Sequence, residues 1–101
     1  MHNITDAELS VITESKGALI LDFWADWCAP CKKLGRDLAE VAASYPDVPV
    51  LKVNIDDAPR IAARFGVMSV PSLVILHDGD VAGIHGAVSK RRLKEIFEQL
   101  S

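Results

Sequence analysis

Apolar residues along this chain change period several times, and each change marks an element. "ALILDFWA", Ala18 to Ala25, is apolar on both strand faces except at Asp22, the pattern of a central strand covered on both sides. From Cys31 to Tyr45 the spacing turns helical, with Leu34, Leu38, Val41 and Tyr45 on one stripe, and "SYPD" ends the run. "VPVLKVNI", Val48 to Ile55, predicts a second strand. "DDAPRIAARFG" predicts a short helix with Asp57 as N-cap, Pro59 in the first turn and Gly66 just past the end. "SLVIL", Ser72 to Leu76, is a third strand. The Asp-Gly of "HDGD" predicts a hairpin, with "VAGIHG" as the returning strand. Ser89 can cap a last helix whose Leu93, Ile96, Phe97 and Leu100 form an apolar stripe. At the other end, Thr5 and Glu8 stand at capping-box spacing, so a helix starts there and any strand before it is short. The order α-β-α-β-α-β-β-α is that of an α/β fold: a central mixed sheet with helices on both faces.

A chain of 101 residues makes one domain, residues 1–101, and has no repeats, low-complexity segments or linkers. Half of it is apolar and a quarter charged, ordinary for a globular protein that needs no staples. The net charge of −3 gives no general attraction to nucleic acid. "MHNITDAELS" has neither the basic nor the apolar region of a signal peptide. No apolar run reaches membrane-spanning length. The expectation is a cytoplasmic protein, monomeric, with no membrane partner.

Both cysteines, Cys28 and Cys31, and both tryptophans, Trp24 and Trp27, fall within "FWADWCAPCKK". A metal clasp, a structural disulfide and a reactive dithiol are the candidate readings. Tetrahedral zinc wants a second ligand pair, and His2, His77 and His85 offer none at ligand spacing. A staple is disfavoured in a reducing cytosol, and so short a loop constrains the unfolded chain least. The dithiol reading explains more. Cys31 lies on the buried stripe of its helix, three residues before Leu34. Cys28 lies at the strand-to-helix junction, where unpaired N–H groups and the helix dipole favour a thiolate. Cys28 is then the nucleophile and Cys31 the resolving thiol. Pro30 in the first turn removes no needed N–H. Lys32 and Lys33 oppose the dipole. Either they form a solvated face, with Lys33 near Asp37 and Arg36 near Glu40, or their charge favours the Cys28 thiolate. Asp22 is expected to be a buried acid with a raised pKa, poised to take a proton from Cys31. Lys52, the lone charge of its strand, is either its neighbour across adjacent strands or an outward-facing strand lysine.

"LDFWADWCAPCK", "VMSVPSLVILHDGD" and the order of elements together resemble the thioredoxin family, over nearly the whole chain. The resemblance implies a thioredoxin fold and a thiol–disulfide oxidoreductase that reduces protein disulfides. It places Cys28 as the exposed nucleophile, Cys31 as the buried resolving cysteine, Asp22 as the buried acid and Lys52 as the lysine near it. Trp27 matches the tryptophan flanking the site, and Pro71 the proline whose preceding peptide is cis. Val70 and Pro71 would form a shelf for an extended substrate backbone, and Gly86 and Ala87 a third contact loop. Ala29 replaces the usual glycine between the cysteines, Arg36 stands where many members have a proline, and the leading strand looks truncated. No Gly-rich strand-to-helix turn for a flavin or nicotinamide is present. The expected redox group is therefore the Cys28–Cys31 pair itself, with no cofactor, recharged by a separate reductase. The alternative is a redox-inactive thioredoxin-like binding or scaffold module.

Overall fold

The computed structural model describes residues 1–101. In chain order the elements are β1 (His2–Asn3), a 3-10 turn (Asp6–Glu8), α1 (Leu9–Thr13), β2 (Ala18–Trp24), α2 (Ala29–Ala42) and β3 (Val50–Asn54). Then come α3 (Pro59–Arg64), β4 (Ser72–His77), β5 (Asp80–His85) and α4 (Lys90–Leu100). The strands form one sheet in the order β1-β3-β2-β4-β5. The β1–β3 and β3–β2 pairs are parallel, and the β2–β4 and β4–β5 pairs antiparallel. This is the expected mixed sheet, built of parallel and antiparallel pairs.

Side-chain alternation along β2 divides the core in two. Leu19, Leu21 and Phe23 pack with Ile12 of α1 and Ile61 and Ala62 of α3. Ile20 faces the other way and packs with Leu34, Leu38 and Val41 of α2 and Leu93, Ile96 and Phe97 of α4. β4 alternates in the same manner, Val74 and Leu76 joining the first cluster and Leu73 and Ile75 the second. Each such large side chain, fully buried, stabilises the fold by about 1.5–3 kcal/mol relative to exposure. The same alternation turns Asp22 toward the helix layer that carries Cys31.

Local signals explain most boundaries. The Thr5 N–H donates to Glu8 Oε1 at 3.2 Å, the pairing expected of a capping box. Gly66 takes φ +64 after the Phe65 C-cap, a conformation that favours glycine. Asp78 and Gly79 both have positive φ at the β4–β5 hairpin, which suits the twist of the flanking strands. Ser89 caps α4, its Oγ accepting the Arg92 N–H at 3.1 Å. Two details differ from expectation. α2 starts at Ala29, not Cys31, and ends at Ala42, because Cys28 itself is the cap. Asp57 does not cap α3; the N-cap is Ala58. The capping oxygens come from Asp6, which accepts the Arg60 N–H at 3.2 Å and the Ile61 N–H at 3.0 Å.

Candidate active site

β2 ends at Trp24 and α2 begins at Ala29. Cys28 closes the connection with an extended backbone, φ −100 and ψ 101, as the N-cap. Its Sγ accepts the Cys31 N–H at 3.2 Å, satisfying one of the first-turn donors that a helix leaves unpaired. Ala29 and Pro30 fill the first two helical positions and are exposed. Cys28 and Cys31 are joined by a disulfide, their Cα atoms 5.3 Å apart. The expected contrast between an exposed and a buried sulfur does not hold in this oxidised form: Cys28 is 4% exposed and Cys31 2%. Ala25 is buried with the pair, and Trp24, Ile55 and Val70 pack against this cluster, so residues distant in sequence help bury it.

Asp22 is completely buried, and neither of its carboxylate oxygens has a hydrogen-bond partner in the protein. Removal from water pushes its pKa from 3.8 up to about 6, against the opposing pull of the Lys52 ammonium. Lys52 is the register partner of Asp22 on the adjacent strand β3. Its Nζ lies 4.7 Å from the centroid of the Trp24 ring, a cation–π contact. Gly35 of α2 faces that Nζ, and a methyl group there would lie 3.5 Å from it, in ordinary contact. The Trp24 indole N–H donates to Asn3 Oδ1 at 2.9 Å, fastening the ring to β1. Trp24 is therefore a packing residue of the sheet end.

Trp27 is 69% exposed beside Cys28. Its indole N–H donates to Asp56 Oδ2 at 3.1 Å. Asp56 is itself placed by its N–H, which donates to Asn54 Oδ1 at 2.9 Å. Asp56 was not singled out from the sequence, and no local spacing relates it to Trp27. Val70 reaches the cysteine cluster, and the Val70–Pro71 peptide is cis. Met68, in the same loop, is 98% exposed and also went unnoticed, since one exposed methionine leaves no pattern. Gly86 and Ala87 are exposed in the β5–α4 connection.

The charges of α2 are only partly paired as expected. Lys33 reaches Asp37 Oδ2 at 2.8 Å, which holds the Asp37 carboxyl below its ordinary value through that hydrogen bond. Arg36 does not pair with Glu40, whose carboxylate is taken by Lys90 of α4. No group of three His, Cys, Asp or Glu side chains converges as a metal site would require. No helix is long and apolar enough to cross a membrane.

A disulfide-linked Cys-x-x-Cys pair capping a helix above a buried acid defines a protein of thiol–disulfide exchange. The comparisons agree: a family model described as Thioredoxin matches residues 2–99. Thioredoxins of Staphylococcus aureus strains Mu50, MW2 and N315 are each 39% identical over 98 residues, covering 95% of this chain and 93% of theirs. The chain belongs to the thioredoxin family, and it is a thiol–disulfide oxidoreductase.

Proposed function

We propose that the protein works as a reductant of protein disulfides, as a cytoplasmic monomer, with Cys28 as nucleophile and Cys31 as resolving thiol. The carrying observation is the Cys28 sulfur at the N-cap of α2, accepting the Cys31 N–H at 3.2 Å. Once the pair is reduced, the same donor and the helix dipole favour a thiolate at Cys28. That thiolate attacks one sulfur of the substrate disulfide. A mixed disulfide forms, and the other substrate sulfur leaves as a thiolate. Cys31 then loses its proton and attacks Cys28, releasing the second substrate thiolate and leaving the Cys28–Cys31 disulfide. Two electrons have passed to the substrate, whose two thiolates take their protons from solvent.

In this reading Asp22 accepts the Cys31 proton. Burial without partners and a pKa near 6 suit a base working close to neutrality. Lys52 moderates the cost of the charge that Asp22 carries. Trp27, Val70 and Pro71 border the cysteines and receive the substrate backbone, with Gly86 and Ala87 in a further contact loop. Ala29 and Pro30 shape the turn between the sulfurs. No histidine separates the cysteines, where its charge would over-stabilise the reduced thiolate, and this favours a reductant over an oxidant. The resident redox group is the cysteine pair, with no cofactor, and a separate reductase of the thioredoxin-reductase kind would restore the dithiol. A reducing compartment suits that cycle.

Insulin reduction with dithiothreitol as electron source tests the proposal. The expected result is accelerated precipitation of the insulin B chain, abolished by Cys28→Ser, with Cys31→Ser accumulating a mixed disulfide seen by mass spectrometry. No acceleration, or full activity in Cys28→Ser, overturns it. Equilibration with a glutathione redox buffer tests the direction: a reductant ends mainly oxidised.

A further inference from the structure

Beside the disulfide, α2 and the β1–β3–β2 end of the sheet enclose an open groove of about 540 Å³. Cys31, Gly35 and the Trp24 ring contribute to its lining, and Lys32, Arg36 and Lys52 stand along it. Lys32 and Arg36 are one helical turn apart on α2 and exposed. Lys52 comes from β3 and is half-buried. None of these three cations forms an ion pair, whereas Lys33 and Lys90 on the neighbouring surface are matched with Asp37 and Glu40. The acid nearest Lys52 is Asp22, fully buried in the adjacent strand. Asp26 and Asp56, the acids next to the tryptophan side of the site, do not line the groove. A chain of net charge −3 thus carries a local cluster of positive charge against Cys31, in which Lys32 and Arg36 stand exposed without an ion pair and Lys52 is partly offset by the buried Asp22.

We propose that this groove is a docking surface for an acidic segment of the protein whose disulfide is exchanged, carrying two or more carboxylates near the reacting cysteine. The assignment rests on the reductant reading above. Charge complementarity selects the occupant. The open shape suits an extended chain lying along α2, and the cations are spread over a helical turn and a facing strand instead of converging on one point. Such contacts raise the rate of encounter more than they tighten the final complex. The groove therefore discriminates among disulfides by the charge that flanks them, a selection that the apolar roof of the cysteines does not make.

Prereduced protein would be mixed with disulfide-linked dimers of short synthetic peptides in a stopped-flow instrument, with tryptophan fluorescence as readout. One peptide carries three glutamates beside its cysteine and the other three glutamines; each is made with the tract before and after the cysteine. The quantity read is the ratio of rate constants, acidic over neutral, so a change in thiol reactivity common to both cancels. The net charge of the protein by itself would hold this ratio below one. At low ionic strength the expected ratio is about five to ten for at least one tract order, falling toward one at about 1 M salt, where the screening length is only about 3 Å. Lys32→Glu with Arg36→Glu should bring it below one. A ratio of one or less for both tract orders in the unaltered protein overturns the docking surface, as does a ratio unchanged in the double variant. Failure to reduce any of the peptides would instead overturn the reductant reading.

Discussion

Replacing Asp22 by asparagine should make the protein more stable at pH 8 and no more stable at pH 3.5. The carboxyl is fully buried without a hydrogen-bond partner, and its pKa stands at about 6 in place of 3.8. In the unfolded chain the group ionises near the ordinary value. Between about pH 4 and pH 6 the native protein holds a proton that the unfolded chain has released, so wild-type stability falls as the pH rises. Above about pH 6 the whole deficit is present, and below about pH 4 it has vanished. At 1.36 kcal/mol per pH unit the displacement corresponds to about 3 kcal/mol. For a domain of this size that raises the melting temperature of the variant by roughly 10–20 °C. Urea unfolding of the oxidised proteins at pH 3.5, 5, 6 and 8 measures it. The other carboxyls titrate alike in both proteins and cancel in the difference. A gain of about 3 kcal/mol at pH 8 that fades to under about 0.5 kcal/mol at pH 3.5 is expected. A difference independent of pH would refute a buried, ionising carboxyl. The same variant should resolve its mixed disulfide more slowly, which sets stability against turnover at a single atom.

Lys52→Gln removes the cation that holds the Asp22 pKa down, so a carboxyl titration by NMR should move above about 6; a downward move would contradict the pairing. Asp6→Ala deprives the Arg60 and Ile61 N–H groups of their acceptor and should cost about 1–2 kcal/mol in urea unfolding; an unchanged unfolding midpoint would contradict the cap. Asp56→Ala frees the exposed Trp27 ring; the emission anisotropy of Trp27 should fall and KM for a protein disulfide rise, with stability changing by under about 0.5 kcal/mol.

The elements were legible wherever one period ran long enough. β2 could be read because a strand covered on both faces needs apolar side chains at every position, and the one acid in that run proved to be buried as expected. The pairing of Asp22 with Lys52 was also within reach, because each is the lone charge of a strand and the strands are neighbours in the sheet. The failures share a physical cause. A cap, an ion pair or a roof can come from anywhere in the folded chain, while spacing rules see only a few residues. Asp57 stood in the right place to cap α3 but Asp6 does so across the fold. Glu40 stood one turn from Arg36 but the packing of α4 on α2 brings Lys90 closer. Cys28 occupies a position that reads as surface, yet it is buried in a cluster against which Val70 and Ile55 pack. Trp27 was found from its neighbourhood to the cysteines, whereas Asp56, which fixes its ring, was not.

The Asp6 clasp bears on the order in which the molecule assembles. α3 has six residues, far short of the dozen or so that an isolated helix needs to hold its shape in water. Its first N–H groups bond to a side chain 54 and 55 positions earlier in the chain. Its cap thus exists only when the 3-10 turn after β1 is packed against it. α3 leads through Gly66 into the loop that carries Val70 and Pro71 to the cysteines. The wall of the exchange site is thus tied to a helix too short to stand alone, and local opening at the Asp6 clasp would loosen that wall while the sheet stays closed.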